Sequence, residues 1–336
     1  FAAFAAGFSD ACYDQLASYK ALAGGGKQYR FVCYQNGEAK GGSLVVVYQI
    51  PGTRLGIANV RFGPFWRKSG RPVDPAIYRN IINQLTEEFC KRRKLMLTLL
   101  PKAHPQNQEI EQGYLEAAGF AGRHGQNSKA DRYFVDLSAS EDEQLQSLNQ
   151  KWRYNLRRSL KEDVSIRLAH AEAGFQVFES IHQTMVSRRG VSLSDKPDIV
   201  ETLRGVMGEG FRPQLFIATL NGQPAAGIVV ARAGDVAYYL YGATTGEALK
   251  ARLGYRLQWH IIQELSEQGF RLYDLGGASG TAGLRQFKEG LIGKRGWKID
   301  MAPEYDVATS WQARFGGSLV HALRDVKGKS LEYLNR

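Results

Sequence analysis

The sequence of 336 residues predicts an α/β (α+β) protein made of two similar halves, each a mixed, mostly antiparallel sheet flanked by helices. A strand–turn–strand pattern occurs twice, as FVCYQNG at 31–37 and FIATLNG at 216–222, 185 residues apart. Both copies end in Asn-Gly, which supplies the positive φ angles of a tight hairpin turn. An amphipathic helix also occurs twice, at 81–87 and 261–267. Two matched elements in the same order, at nearly the same offset, predict an internal duplication.

The first half is predicted to span residues 1–137, and its elements follow from the spacing of apolar residues and from turn residues. It contains, in order, a helix near 10–21, strands at 29–35, 43–49 and 54–60, a helix near 74–92, a strand at 95–99, a helix near 109–118 and a strand at 133–137. The three consecutive strands after the first helix predict a β-meander.

The second half is predicted to span residues 138–302 and to hold the functional site. Its elements are, in order, a basic helix ending at 161, a strand at 164–168, helices near 175–188 and 198–207, strands at 214–220, 226–231 and 236–242, a helix at 248–268 and a strand at 270–275. A helical tail follows at 310–334, and we expect residues 303–336 to pack back on the first half.

This order of elements (helix, β-meander, helix, strand, helix, strand) is typical of the N-acetyltransferase-like (GNAT) fold, here expected twice in tandem. In that fold two central strands splay apart, and the carbonyl group of an acyl donor can lie in the gap between them. Because one fold supports many functions, the function has to follow from the residues of the site.

The balance of charged residues indicates what kind of partner the protein binds. Lysine and arginine number 44 against 33 aspartate and glutamate residues, which gives a net charge of +11. Such an excess is typical of proteins that bind nucleic acid, a phosphorylated substrate or an anionic membrane surface. A basic surface without a polyanionic partner has the same composition, so both interpretations stay open at this point.

Several classes of protein are excluded by what the sequence lacks. The three cysteines lie apart and the six histidines show no metal-ligand spacing, so neither a disulfide framework nor a metal site is predicted. No apolar run approaches the ~18 residues of a membrane span. Residues 1–7 are apolar but lack a charged segment, and we interpret them as the edge of a trimmed chain rather than a signal peptide. The expected compartment is the reducing cytoplasm.

A basic helix opens the second half, as KWRYNLRRSLK at 151–161. Trp152, Leu156 and Leu160 recur every four residues and predict one apolar stripe. The basic residues singled out on its other faces are Lys151, Arg153, Arg157 and Arg158. They form either a solvated face or a surface for nucleic-acid phosphates, since guanidinium and ammonium groups neutralise phosphates and release counterions.

The strand VAYYLYGATT at 236–245 is rich in tyrosine. Because side chains alternate along a strand, Tyr239 and Tyr241 are expected to share one face and Tyr238 to take the other. These tyrosines serve either core packing or a cleft in which their hydroxyl groups would donate to phosphates or a sugar.

A strand that ends in a glycine-rich turn follows, as YDLGGASG at 273–280. Gly276 and Gly277 let a ligand approach the backbone and leave N–H groups free to bind anions. Lys288 comes shortly afterwards, in GLRQFKEG at 283–290. A lysine past such a turn can place a positive charge at a developing oxyanion, although an ordinary surface lysine fits the same spacing.

Together these segments resemble the FemABX family of aminoacyl-tRNA-dependent peptidyltransferases. The basic helix, the tyrosine-rich strand, the D-L-G-G turn and the F-K pair occur in the family's order, and the first half carries a similar FGP at 62–64. The resemblance covers most of the chain and is more specific in the second half. No long helical arm separates Arg157 from the second sheet, so the chain resembles compact members that lack a coiled-coil insertion.

The resemblance implies transfer of an aminoacyl group from a charged tRNA to an amine on the peptide stem of a peptidoglycan precursor. Lys288 would stabilise charge at the transfer site or contact the tRNA end, and the basic helix would contact the tRNA. The residues that would bind the substrate are Tyr239, Tyr241, Gly276, Gly277, Lys196 and Lys20. Aminoacyl-tRNA would be a co-substrate, with no bound cofactor or metal. The enzyme would be cytoplasmic and would meet a membrane-bound precursor at the inner face of the membrane.

Two positions depart from the family pattern. Some members have an aspartate, proposed as a base, directly before the proline that ends the strand of the first half, and here that position is Leu100. A tyrosine that helps to bind precursor phosphates, a few residues after the position of Lys196, corresponds to Val200. The general base and the acceptor amine therefore stay open.

Two further hypotheses concern other classes of protein. The first is an acyl-CoA-dependent N-acyltransferase that acts on a sugar or a natural-product amine and binds pyrophosphate with a [QR]-x-x-G-x-[GA] loop at a helix N-terminus. The nearest segment, ARLGYR at 251–256, has Ala251 and Arg256 at the outer positions, which counts against coenzyme A. The second, a non-catalytic RNA-binding or scaffold protein, leaves the D-L-G-G and F-K motifs without a role.

Overall fold

The computed structural model describes residues 1–15, 26–124, 131–169, 171–189, 213–278 and 282–334. The chain forms two compact units. Unit one comprises residues 1–130 and 299–336, and unit two comprises residues 131–298. Each unit has its own sheet, helices and apolar core, which confirms the predicted α/β class with two halves.

The strands and helices are numbered here along the chain. The strands are β1 (Lys27–Gln35), β2 (Glu38–Gln49), β3 (Gly56–Arg61), β4 (Met96–Leu100), β5 (Ala121–Arg123), β6 (Asp131–Asp136), β7 (Val164–Ala169), β8 (Gln214–Leu220), β9 (Gln223–Ala233), β10 (Val236–Thr244), β11 (Leu272–Asp274), β12 (Trp297–Asp300) and β13 (Glu304–Val307). The helices are α1 (Ala2–Ala5), α2 (Pro75–Leu85), α3 (Gln108–Ala117), α4 (Glu141–Ser147), α5 (Gln150–Ser159), α6 (Ala171–Arg189), α7 (Gly246–Lys250), α8 (Leu253–Glu267), α9 (Ala282–Ile292) and α10 (Trp311–Leu334). The helix predicted near 198–207 lies outside the described residues, as does part of the one predicted near 10–21.

Both predicted Asn-Gly hairpins form. The φ angles are 52° at Asn36 and 77° at Gly37, and 50° at Asn221 and 77° at Gly222. These turns join β1 to β2 and β8 to β9, and each pair of strands is antiparallel. Positive φ at both central residues is the geometry that favours Asn-Gly, so the two local sequences specify the same turn.

The sheet of unit one has the strand order β1-β2-β3-β4-β13-β5. β3 and β4 are parallel and pair from Ile57↔Met96 to Arg61↔Leu100, and the other strand pairs of this sheet are antiparallel. A parallel pair needs a crossover connection, which α2 supplies here. Asp74 caps the start of α2 by accepting a hydrogen bond from a backbone amide at 2.9 Å.

The C-terminal helix α10 packs on the sheet of unit one. Gly316 and Gly317 permit this close approach, since a Cβ atom at Gly317 would collide with the side chain of Met96. Charged groups add to the contact, because the buried Glu304 on β13 pairs with Arg324 of α10 at 2.6 Å and with Arg123 on β5. The tail is therefore tied to unit one by close backbone packing and by a shared carboxylate.

The sheet of unit two has the strand order β12-β6-β11-β10-β9-β8-β7, in which β10 and β11 are parallel. The strand predicted at 133–137 as the end of the first half is β6, and it belongs to this sheet because it pairs with β11. The predicted boundaries after residues 137 and 302 are therefore wrong. Unit two begins at Asp131 and ends at Lys298.

The boundaries were misplaced because the two sheets take one strand from different parts of the chain. In unit one the antiparallel neighbour of β4 is β13, which comes from near the C-terminus. In unit two the corresponding neighbour of β11 is β6, which precedes the rest of that sheet in the chain. Pairing between strands distant in sequence depends on tertiary packing, so the order of strands along the chain does not reveal it.

Candidate functional site

The two parallel strands of unit two separate at their carboxyl ends. β10 and β11 pair over three residues, and the last pair is Tyr238↔Asp274. β10 continues to Thr244, whereas the amide of Leu275 donates instead to the carbonyl oxygen of Tyr133 on β6 at 2.8 Å. The sheet therefore opens between β10 and the turn after β11, which we call the glycine turn (residues 275–277).

The parallel pair of unit one stays closed at the same end. β3 and β4 pair over five residues, and the amide of Phe62 then donates to the carbonyl oxygen of Leu100 at 2.8 Å. Leu100, the last residue of β4, is buried within this closed pair. The opening is thus a feature of unit two.

Lys288 on α9 fills the opening. Its ammonium group donates to the carbonyl oxygens of Leu275 at 2.6 Å and Gly277 at 2.7 Å, and it lies 5.5 Å from the centre of the Tyr239 ring on β10. Lys288 is only 6% exposed, so it is not an ordinary surface lysine. Its side chain bridges the two sides of the opening.

The surroundings of Lys288 change its acidity. Burial lowers the pKa of Lys288 to about 8, because the charged ammonium loses solvent there. Two charged neighbours act in opposite directions: the carboxylate of Asp274 raises this pKa and the guanidinium of Arg132 lowers it. A pKa near 8 leaves Lys288 mostly protonated at neutral pH and mostly neutral in mildly alkaline solution.

The aspartate of the D-L-G-G motif holds the glycine turn in place. One oxygen of the buried Asp274 accepts the amide N–H of Gly276 at 2.8 Å, and Gly276 has a φ of 71°, which favours glycine. The other oxygen accepts two hydrogen bonds from Arg132 on β6, at 2.5 and 3.1 Å. Arg132 was not among the residues predicted from the sequence, since nothing near it in the chain shows that β6 lies beside β11.

The two predicted site tyrosines lie on opposite faces of the sheet. β10 has a bulge at Leu240, so that Tyr239 pairs with Val230 of β9 and Tyr241 with the adjacent Val229. Tyr239 packs in the same core cluster as Val230, and Tyr241 packs with Val229 in the cluster beneath α6. The expectation that Tyr239 and Tyr241 share a face is therefore wrong, because the extra residue of the bulge reverses the alternation.

Tyr239 is the tyrosine that meets Lys288. Its hydroxyl group lies over Gly242, where a Cβ atom would collide with it, so glycine makes room for this orientation. Tyr241 is half-buried, and burial raises its pKa. Of the two predicted tyrosines, the structure brings only Tyr239 to the opening.

An aromatic cluster fixes the base of α9 against the basic helix α5. The ring centres of Trp152 and Tyr255 lie 4.9 Å apart, and Phe287 lies 5.0 Å from Tyr255 and 5.8 Å from Trp152. Gly290, one turn after Phe287, leaves room for the indole ring of Trp152. Phe287 thus anchors the helix in the core and directs the next residue, Lys288, into the opening.

The basic residues of α5 divide into two groups. Arg153 donates to the carbonyl oxygens of Gln146 and Leu148 at 2.7 and 2.8 Å, and so fastens the end of α4. The remaining predicted phosphate ligands of this helix are exposed, namely Lys151, Arg157 and Arg158. The predicted apolar stripe also ends early, because Leu160 is exposed while Trp152 and Leu156 are buried.

Some predicted residues lie outside the described part of the chain. These are Lys20, Lys196 and Val200. Within the described ranges, no group of three or more His, Cys, Asp or Glu side chains is placed to hold a metal ion. No helix among the residues that the structure describes is long and apolar enough to cross a membrane.

Comparison with known proteins identifies the fold. Residues 146–289 match the family described as "Acetyltransferase (GNAT) domain". A search of curated proteins gave no match. Among solved structures, the chain is similar to FemX, with a TM-score of 0.74 and 16% identity over 91% of this chain and 94% of that chain.

Two further structures share the architecture. One is the C-terminal domain (DUF2156) of a provisionally named lysylphosphatidylglycerol synthetase from Agrobacterium fabrum, with a TM-score of 0.57 and 14% identity over 94% of this chain and 92% of that chain. The other is L-PGS from Bacillus licheniformis, with a TM-score of 0.53 and 12% identity over 91% of this chain and 96% of that chain. At these identities the likeness is one of fold.

The chain is therefore a tandem GNAT-fold protein, as the sequence predicted. More particularly, its fold is FemX-like, with an acetyltransferase-type domain in unit two. α5 ends at Ser159 and β7 begins at Val164, so no helical arm is inserted between them.

Proposed function

We propose that the protein is a non-ribosomal aminoacyltransferase that moves an aminoacyl group from aminoacyl-tRNA to an amine on the peptide stem of a peptidoglycan precursor. The observation that carries this proposal is the Lys288 ammonium group, held across the opening between β10 and the glycine turn. This opening is where a GNAT fold can receive the carbonyl group of an acyl donor. The FemX-like fold supports the choice of donor.

The transfer reaction requires few catalytic groups from the protein. The acceptor nitrogen attacks the ester carbonyl carbon, a C–N bond forms, and the C–O bond to the tRNA ribose breaks. The amine loses one proton, and the released ribose hydroxyl group gains one. An ammonium group has three N–H donors. Two of the three N–H groups of Lys288 donate to carbonyl oxygens of the glycine turn. The third can stabilise the oxyanion of the tetrahedral intermediate, so that positioning and charge stabilisation account for catalysis.

The basic helix supports a polyanionic donor. Lys151, Arg157 and Arg158 are exposed on α5, and the chain has a net charge of +11. Such groups neutralise phosphates along an RNA backbone. We assign these three residues to the tRNA, and we propose that aminoacyl-tRNA is a co-substrate with no further cofactor. Lys20 and Lys196 stay predicted contacts to precursor phosphates.

An acyl-CoA-dependent N-acyltransferase is the second candidate, and the match to the GNAT domain family favours it. Coenzyme A would need free amide groups at the start of α8. The helix predicted at 248–268 is broken there by Arg252, whose φ is 58°, and the amides of Ala251 and Arg252 donate to carbonyl oxygens of α7. Arg256 donates to the backbone carbonyl groups of Ser159, the last residue of α5, and of Glu162 and Val164. These contacts engage two amides of the segment and the Arg256 side chain, and so leave fewer groups for binding pyrophosphate.

One experiment separates the two donors. The protein is incubated with labelled aminoacyl-tRNA or with labelled acetyl-CoA, each with amine acceptors that include a peptidoglycan precursor. Phosphatidylglycerol vesicles are added as a further acceptor, because one protein of similar fold carries a name that refers to a lysylphosphatidylglycerol synthetase. We expect label from aminoacyl-tRNA in a peptide-stem amide, and none with Lys288→Met. Label from acetyl-CoA alone would overturn the proposal.

The site of action follows from the acceptor. We propose that the protein acts in the cytoplasm, where a precursor carried on a lipid would bring it to the inner face of the membrane. We therefore expect the protein to transfer label to a lipid-linked precursor in vesicles as well as to a water-soluble one. Transfer to the water-soluble precursor alone would contradict the proposal that the protein acts at the membrane.

A further inference from the structure

We propose that Arg132 is a positioning residue of the transfer site, which acts through the Asp274 carboxylate to fix the glycine turn that holds Lys288. Its effect on aminoacyl transfer rests on the proposed function, whereas its effect on Lys288 does not. Arg132 acts on Lys288 through the Asp274 carboxylate and through its own charge. Its role is to keep the lysine in place and correctly charged.

The first step is the division of the two Asp274 oxygen atoms. Oδ2 accepts both hydrogen bonds from Arg132, from Nη2 at 2.5 Å and Nε at 3.1 Å. Oδ1 accepts the amide of Gly276 at 2.8 Å. The Asp274 side chain is only 2% exposed, and a buried carboxylate is costly unless it is paired. Because each oxygen has its own partner, the carboxylate is fixed from both sides.

The second step leads from the carboxylate to the lysine. Gly276 lies between the two residues whose carbonyl groups accept from Lys288, Leu275 and Gly277. A fixed amide at Gly276 therefore also fixes the two neighbouring carbonyl groups that accept hydrogen bonds from the ammonium group. Without Arg132, the Asp274 carboxylate would lose the two donors that hold Oδ2 and would turn toward the Lys288 ammonium group, on which it already acts electrostatically. The carbonyl groups of the glycine turn would then lose their fixed positions.

The third step is electrostatic. Among the described residues, the groups that act on Lys288 are Asp274 on β11, Arg132 on β6 and the ring of Tyr239 on β10. Burial lowers the pKa of Lys288 to about 8, Asp274 raises it and Arg132 lowers it. Loss of Arg132 should therefore raise the pKa of Lys288, and loss of Asp274 should lower it. A merely structural role for Arg132 predicts no such opposite shifts.

The test measures Lys288 directly. Protein carrying ¹³C-labelled lysine is titrated by NMR, and the Lys288 resonance is assigned from its loss in Lys288→Met. In Arg132→Met the titration midpoint should rise, on the order of 1 pH unit for removal of a nearby cation beside a carboxylate. In Asp274→Asn it should fall. Because a buried Asp274 without its partner can destabilise the fold, the double variant Arg132→Met/Asp274→Asn removes both charges together and should titrate between the two single variants.

Two further variants sharpen the result. Arg295→Met is the matched control, since Arg295 of the same unit also pairs with a carboxylate, that of Asp136 at 3.3 Å. It should leave the titration of Lys288 unchanged. Arg132→Lys keeps the charge and should hold the midpoint closer to the wild-type value than Arg132→Met does. An unchanged Lys288 midpoint in folded Arg132→Met, or an equal rise in Arg295→Met, would overturn the proposal.

Activity gives a separate readout. If Lys288 acts as an ammonium group, transfer should decline as the pH rises through its pKa, and Arg132→Met should move this decline to higher pH while lowering kcat. Should the wild-type protein show no aminoacyl transfer, the proposed function fails, but the NMR titration still decides the role of Arg132. The two failures are therefore distinguishable.

Discussion

The ammonium group of Lys288 lies 5.5 Å from the centre of the Tyr239 ring, and the two residues come from opposite sides of the opening in the second sheet. Tyr239 belongs to β10, and Lys288 belongs to the helix that follows the glycine turn. This contact joins the tyrosine-rich strand and the F-K motif, which lie far apart in the sequence. It defines the part of the molecule in which the donor ester and the acceptor amine would meet.

Replacement of Lys288 by methionine should abolish transfer and leave the fold intact. The side chain of methionine is apolar and of similar length, and burial of a charged group is costly, so the substitution removes a buried charge rather than a packing group. Loss of an oxyanion donor typically lowers kcat by about 10²–10³-fold. Steady-state kinetics and thermal unfolding of the same preparation check both parts.

Lys250→Met provides the control for this substitution. Lys250 is exposed at the end of α7 and pairs with Glu247 at 2.9 Å. The Lys250→Met variant should transfer the aminoacyl group at the wild-type rate. A folded Lys288→Met protein that transfers as fast as Lys250→Met would remove Lys288 from the mechanism.

The two tyrosines of β10 should behave differently. Tyr239→Leu removes the ring that faces Lys288 and should lower transfer about 10-fold, in line with the 1–2 kcal/mol of a desolvated cation–π contact. Tyr241→Leu removes a ring from the cluster beneath α6, and should lower the unfolding temperature with little effect on kcat. Kinetics and thermal unfolding of both variants, side by side, make the comparison.

Tyr239→Phe adds information about the hydroxyl group. If the ring alone matters, this variant transfers normally; if the hydroxyl group binds a precursor phosphate, the KM for the precursor rises. Equal losses of kcat in Tyr239→Leu and Tyr241→Leu would contradict the separation of the two faces by the bulge at Leu240.

Local motifs of the sequence predicted much of this fold and site. Asn36-Gly37 and Asn221-Gly222 specify their turns through their own backbone preferences, so the hairpins could be located without a structure. The glycine turn and Lys288 lie close together in the chain, on adjacent elements. Their contact could therefore be anticipated from short-range spacing.

The remaining features depend on contacts distant in sequence. The bulge at Leu240 arises in the pairing of β10 with β9, and the sequence carries no glycine or proline there to mark it. Arg132 reaches Asp274 only because β6 lies beside β11, and β6 reads locally as the last strand of the first half. Tertiary packing decides such positions, so a pattern of alternation or a turn residue cannot predict them.

Arg157 and Arg158 should contribute to tRNA binding through charge alone. The double variant Arg157→Ala/Arg158→Ala should weaken binding and reduce the slope of log K against log salt by roughly 1 for each phosphate that is no longer neutralised. Filter binding of tRNA over a series of salt concentrations measures both quantities. Binding that does not depend on salt would contradict a phosphate-binding surface.

Arg153 should serve as the contrast on the same helix. Its guanidinium group is already bonded to the carbonyl groups of Gln146 and Leu148. Arg153→Ala should therefore lower the unfolding temperature more than it lowers the salt slope. The opposite ranking of Arg153 and the Arg157/Arg158 pair would show that the wrong side chains have been assigned to the RNA.

The stability of unit one should depend on the ionisation of Glu111. This carboxyl group on α3 is 6% exposed and accepts a hydrogen bond from the indole N–H of Trp66 at 3.1 Å. Burial, together with the nearby Asp10, raises its pKa from an ordinary value of 4.5 to about 7. Between these two values the folded protein holds a proton that the unfolded chain has released. Stability therefore declines as the pH rises from 4.5 to 7.

Glu111→Gln should remove this pH dependence, because the amide keeps an oxygen for Trp66 and carries no charge. Relative to the wild type, the variant should gain stability as the pH rises, reaching roughly 3 kcal/mol above pH 7, the free energy that corresponds to such a pKa shift. Below pH 4.5 the two should be equal. Urea unfolding across this range tests the effect, with Glu109→Gln, a carboxylate on the same helix, as control. An equal gain in both variants, or a gain that does not change with pH, would show that Glu111 is not the titrating group.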